Sequence, residues 1–209
     1  MKQISKSLEK SEAAKKAKKL LRTQSGIFLW GAAIKSGVHP RTIYRMRVEG
    51  LIERLGRGMY RFTDLPLMGK PDLVTVAKKI PKGVVCLTSA LPYHEMTTEI
   101  PRDVHIALPK GSTSPRMDYP PLHIFRFGGN AFSEGIEVHD EDGVPVKVYS
   151  PEKTLADCFK FRNQFGLDVA LAALKFYRQR KRFNPDELMH YARVCRAENV
   201  MRPYVEATL

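Results

Sequence analysis

Arg41, Thr42, Tyr44 and Arg45 stand close together behind Pro40, in the run "GVHPRTIYRMRVEGLIERLGRGMYRF" from Gly37 to Phe62. These are residue types that read nucleic acid. A guanidinium can bond guanine through two parallel hydrogen bonds, and tyrosine or threonine reaches a phosphate or a thymine methyl. On a helix turning about 100° per residue, Ile43, Met46 and Gly50 share one arc, and Arg41, Tyr44, Arg45 and Val48 share the opposite one. The first set is expected to pack and the second to face outward, with its arginines and tyrosine near the helix N-terminus, where such a helix enters a major groove. Thr42 lies at the edge, placed for a backbone contact. Arg47 falls nearer the packed side, so its stem is expected to pack while its head reaches phosphate. "LIERL" and "MYRF" then read as two short strands around Gly56-Arg57-Gly58. The glycines permit a tight tip. Arg57 at that tip is placed for phosphate or a minor groove, flanked by Arg54 and Arg61.

Helices must position these groups. Residues 5–23 contain only residues that tolerate a helix, with Leu8, Ala13, Ala17, Leu20 and Leu21 as a thin apolar stripe among lysines. Ser25-Gly26 closes it. A second helix is expected from about Leu29 to Ser36, stopped by Gly37, with Ala33, Gly37 and Val38 small or apolar enough for a close helix crossing. The third starts at Pro40, a favoured first helical position, and stops at Gly50. His39 reads as a helix-entry residue rather than a metal ligand. Helix, turn, basic helix and Gly-Arg-Gly hairpin in that order describe a winged helix-turn-helix over residues 1–65.

The charge distribution agrees. Residues 1–62 carry 15 basic and 4 acidic residues, net +11, and the other 147 carry 20 and 18, net +2. A solvated basic face with no ligand would not need to gather its charge in one module; a polyanion-binding one does.

The remainder, residues 66–209, follows a Pro/Gly-rich stretch "LPLMGKPD" and reads as an α+β domain with strands first and helices last. "LVTVAKKI" suggests a helix, "GVVCL" a buried strand and "SALPYHEM" a helix or turn. "DVHIALP", "LHIFRF", "EGIEVHD" and "VPVKVYS" are strand-like. Helices are expected over 151–162, 167–180 and 185–196, with a short tail helix. Asn184-Pro185-Asp186-Glu187 has a cap, a proline in first position and acids in the first turn.

Catalytic patterns are lacking. "DED" at 140–142 precedes Gly143 and reads as a hairpin turn. Pro145 stands where a PD-(D/E)xK nuclease would want glutamate before Lys147, and there is neither G-x-S-x-G nor a complete phosphate-binding loop. His94, His105, His123, His139 and His190 show no metal-ligand spacing, so no metal or other cofactor is expected. Cys86, Cys158 and Cys195 are far apart and odd in number, and read as buried thiols. No apolar run spans a bilayer and no signal peptide is visible, so the expected setting is the cytoplasm, away from membranes.

The stretch Gly37–Phe62 resembles the N-terminal winged helix of AbiEi-family antitoxins from bacterial type IV toxin–antitoxin systems. "VYSPEKTLADCF" at 148–159 resembles that family's C-terminal segment, and "SAL" (89–91), "HIALP" (105–109) and "FRFGG" (125–129) occur in the expected order. The resemblance implies an N-terminal domain that binds inverted repeats in its own promoter and represses its operon. It also implies a C-terminal domain that counters a nucleotidyltransferase-like toxin encoded alongside, without a stable complex between the two. The polar residues of the second motif, Ser150, Lys153, Asp157 and Arg162, are its candidate antitoxin positions, together with Lys160. Helix-start chemistry accounts for much of this motif: Ser150 can cap, Pro151 takes the first position and Glu152 suits the helix dipole. A stand-alone regulator whose C-terminal domain senses a ligand or protein has the same N-terminal signature.

Overall fold

Pro40 begins a helix and Gly50 ends it, and much of the N-terminal architecture follows from such punctuation. The computed structural model describes residues 12–22, 26–65 and 68–207. Its first elements are α1 (Glu12–Arg22), β1 (Ile27–Leu29), α2 (Trp30–Lys35), α3 (Pro40–Val48), β2 (Ile52–Gly56) and β3 (Met59–Phe62). The expected start of the first helix at residue 5, with Leu8, and the Ser25 stop lie outside the described residues. Ile27–Leu29 corrects one expectation, being a strand rather than the approach to a helix beginning at Leu29. It pairs antiparallel with β3, whose other edge pairs with β2, giving the sheet order β1-β3-β2.

Both turns of the helix-turn-helix close with the same device. Gly37, at φ +88°, donates its N–H to Ile34 while Val38 donates to Ala33; Gly50, at φ +71°, donates to Arg47 while Leu51 donates to Met46. These paired bonds satisfy the last carbonyls of α2 and α3, and their apolar partners pack beneath. Ala33, Val38, Ile43 and Met46 are all buried in a core with Phe28, Tyr60 and Phe62, so the sheet fixes the position of α3. A Cβ at Gly50 would meet nothing within 4 Å, so the whole cost of a substitution there is conformational. Gly50→Ala should cost about 1 kcal/mol, read as a lower urea midpoint with an unchanged slope.

Further elements are α4 (Pro71–Lys79), β4 (Val84–Val85), α5 (Leu87–Tyr93), β5 (Val104–Pro109), β6 (Leu122–Phe127), α6 (Asn130–Ser133), β7 (Ile136–Glu141) and β8 (Val144–Tyr149). Helices complete the chain: α7 (Pro151–Lys160), α8 (Arg162–Phe165), α9 (Leu167–Arg178), α10 (Pro185–Val194) and α11 (Glu198–Glu206). The class is α+β. The second sheet has the order β6-β5-β4-β8-β7, with β5 parallel to β6, β4 antiparallel to β5 and parallel to β8.

Contacts divide the chain into two units. One comprises residues 1–81, 117–120 and 140–145; the other comprises 82–116, 121–139 and 146–209. The first therefore includes α4, whose Val74 is buried with Ile27, Met59 and Val144. In the second, α7 packs against α5, α8, α9, α10 and α11, and every residue from Glu152 to Phe159 is buried. The three cysteines are buried and unbridged.

Candidate nucleic-acid interface

The outward face of α3 is the one its periodicity specifies. Arg41, Tyr44, Arg45 and Val48 are exposed, while Ile43 and Met46 are buried. Tyr44 is 62% exposed and Val48 68%. A large apolar side chain so displayed beside two arginines matches the mixed hydrogen-bonding and methyl-contacting surface that reads base edges. Thr42 is half-buried at the margin, as expected. Arg47 corrects its expectation: it is exposed rather than turned toward the core, and so adds another cation to the same outward surface.

The entrance to this helix is polarised for an anion. His39 is its cap, with Nδ1 accepting the Arg41 N–H at 3.2 Å. No acidic residue occupies the first turn of α3, and Arg45 and Arg47 sit in its last turn. No described residue forms an ion pair or hydrogen bond with the guanidinium of Arg41, Arg45 or Arg47, so their charge is not neutralised among the described residues.

The wing arginines differ from one another. Arg54 donates through Nε to the Gly56 carbonyl at 3.1 Å, which stiffens the β2–β3 hairpin from within. Arg57 stands at the tip with its side chain 80% exposed and, among the described residues, only a long 3.9 Å contact to Asp118. Arg61 is buried; its Nε lies 2.8 Å from Glu53 and its Nη2 donates to the Leu65 carbonyl at 3.0 Å. Arg61 is thus a structural strap, and Arg57 is the cation free to meet a phosphate. Arg57→Ala should weaken binding to all DNA sequences alike and reduce the salt slope of log K by about 1; affinity measured across a salt series checks it.

In the second unit the "SPEKTLAD" polar residues turn inward. Ser150 caps α7 by accepting the Lys153 N–H at 3.2 Å. Lys153 Nζ meets Asp157 Oδ2 at 2.6 Å, with side-chain exposures of 0% and 1%. The ammonium also lies 4.1 Å from the Tyr149 ring centre and 4.8 Å from that of Phe127. Asp157 Oδ1 accepts from the Cys195 thiol at 3.2 Å. Burial pushes the Asp157 carboxyl above its ordinary range, and the Lys153 ammonium opposes that shift. Arg162 caps the end of α7, donating to the Phe159 carbonyl at 3.1 Å, and Lys160 donates to the Cys195 carbonyl at 2.7 Å. Lys153 and Asp157 therefore do not present themselves to a partner, correcting the expectation that they could. The "FRFGG" turn lines a basic cavity of about 620 Å³ with Lys110, Arg126, Lys160 and Arg196.

One grouping has no signature along the chain. Asp103, His105 and His123 converge, with their ligand-type atoms within 4.8 Å of one another. Only the pairing of β5 with β6 in a given register sets His105 opposite His123, with Asp103 just ahead of β5, so no local spacing along the chain gives them away.

Comparison with known proteins places this architecture. No curated protein matches the chain in sequence. The crystal structure of the RV2827C protein from Mycobacterium tuberculosis is similar to it, with a TM-score of 0.52 at 12% identity over 93% of this chain and 80% of that one. At that identity the likeness speaks for the fold. The family described as "Transcriptional regulator, AbiEi antitoxin" matches residues 15–63, which run from within α1 to just past β3. Its description is regulatory rather than enzymatic, and no helix among the described residues is long and apolar enough to cross a membrane. The family match thus covers the helix-turn-helix and its wing, the stretch of this chain that carries the outward face of α3.

Proposed function

We propose that this chain is a non-enzymatic antitoxin that binds inverted repeats in its own promoter and represses its operon. The observation that carries this reading is the outward face of α3, where Arg41 and Arg45 flank an exposed Tyr44 with no internal ion pair among the described residues. Arg41, Tyr44 and Arg45 read bases; Thr42, Arg47, Arg54 and Arg57 hold the sugar-phosphate backbone. Residues 1–65 supply the DNA reader. Residues 66–209 supply the antitoxin domain, which counters a nucleotidyltransferase-like toxin encoded alongside without forming a stable complex with it. The proposed setting is the cytoplasm, where promoter and toxin are both met.

Two phenotypes test the division of labour in the full-length chain. Arg41→Ala/Arg45→Ala should release a reporter driven by the upstream region while still rescuing cells that express the adjacent toxin gene. Loss of rescue by that variant, expressed at the wild-type level, would sink the separation of roles. A second reading, a stand-alone regulator whose second unit senses a ligand, is favoured by the cavity of about 490 Å³ that Thr88, Glu99, Arg102 and His123 help to line. Gene neighbourhood separates the two, because only the antitoxin requires a toxin gene beside it.

A further inference from the structure

The parallel register of β5 and β6 sets His105 directly opposite His123. Asp103 immediately precedes β5, and its carboxylate turns to the same side as the two imidazoles. The Asp103 carboxylate spans the two imidazoles: one oxygen is 3.4 Å from His105 Nε2 and the other 3.8 Å from His123 Nδ1. Two ligands on one tetrahedral zinc stand about 3.4 Å apart, as follows from zinc–nitrogen and zinc–oxygen bonds of about 2.0–2.2 Å. The two carboxylate contacts stand near that spacing and the ligand-type atoms of all three groups lie within 4.8 Å of one another, so small side-chain adjustments bring them onto a shared cation.

The surroundings fix this geometry. Thr88 Oγ1 lies 2.8 Å from His105 Nδ1. With a cation bound, that nitrogen can donate to the hydroxyl and leave the Nε2 lone pair for the metal, which is how a second hydrogen bond selects the ligating nitrogen. The neighbouring Ser89 accepts the His105 N–H at 2.9 Å and donates to the Asp103 carbonyl at 3.2 Å. Two adjacent residues of α5 thus hold the D-x-H segment at both side chain and backbone. The cluster opens onto the cavity of about 490 Å³, which Thr97, Glu99, Arg102 and Phe165 also line.

We infer that Asp103, His105 and His123 form a binding site for a zinc-class divalent transition-metal ion, with its fourth coordination position open to the adjoining cavity. Two imidazoles and one carboxylate suit zinc and its neighbours, whereas magnesium and calcium take oxygen ligands. Three protein ligands leave room for a water or an exogenous group, as in open zinc sites. Arg102 at the cavity wall favours an anionic ligand there, a carboxylate or a phosphate.

Cobalt(II) is the probe, because tetrahedral cobalt absorbs strongly in the visible where the octahedral aquo ion hardly does. The full-length chain, without a histidine tag and stripped by chelation, should take up one cobalt per molecule with that absorption, and equimolar zinc should discharge it. His123→Ala should abolish uptake; His123 is half-exposed, so this variant keeps its fold, as far-UV circular dichroism would verify. Thr88→Val should weaken uptake by about 10–100-fold, and His139→Ala should leave it unchanged. Absence of saturable uptake by the wild type, or uptake by His123→Ala equal to the wild type, overturns the assignment.

Discussion

Arg41→Ala should weaken binding to the upstream DNA by about 1–3 kcal/mol, roughly five- to 150-fold, and relax the sequence preference at one base of each half-site. The size follows from what the side chain has free to offer. Arg41 is exposed on α3 and, among the described residues, makes no ion pair that binding would have to break. On the proposed reading its loss removes a base contact rather than general attraction, so affinity for scrambled DNA should fall far less. Competition titrations with operator variants would show this directly. Equal losses on operator and scrambled DNA would assign Arg41 to phosphate and move base reading elsewhere on the helix.

Asp157→Ala should destabilise the second unit by about 3–5 kcal/mol, because it strands a buried ammonium. Lys153 is fully buried, and the other groups close to it are the Tyr149 and Phe127 rings and the Cys195 thiol, none of which can replace the carboxylate. Folded domains have about 5–15 kcal/mol in hand, so the variant should lose a large share of its stability and melt well below the wild type. The double replacement Lys153→Met/Asp157→Leu should recover most of the loss, since apolar residues of similar volume often replace a buried pair at little cost. A thermal midpoint for Asp157→Ala within a degree of the wild type would contradict the buried pair. The expected pattern also bears on function: substitutions in "SPEKTLAD" that abolish toxin rescue must first be tested for loss of fold.

The sequence made some of this legible and hid the rest for physical reasons. Helix starts are local chemistry, and Pro40, Ser150-Pro151 and Asn184-Pro185 announced theirs. At the last of these the Asn184 side chain accepts the Glu187 N–H and donates to the Glu187 carboxylate, both at 3.1 Å. The two faces of α3 were legible because Ile43 and Met46 recur at helical spacing. Strand β1 was not, since three residues give no period and pairing with β3 is what defines it. The burial of Lys153 and Asp157 was hidden because charge normally marks a surface, and only the packing of five helices around α7 reverses that. Arg61 and Arg57 look alike in sequence; strand position makes one a strap and leaves the other at the tip. His105 and His123 could be joined only by the register of two parallel strands.

The most direct test of DNA reading is binding of the purified full-length chain to its own upstream DNA and to scrambled DNA of equal length, across a salt series. A DNA-reading α3 requires at least a hundred-fold preference for the upstream sequence, consistent with the ratios of about 10³–10⁷ common to specific binders, together with a steep loss of affinity as salt rises. Equal, weak binding to both DNAs would contradict it and reduce the +11 charge of residues 1–62 to a general polyanion site.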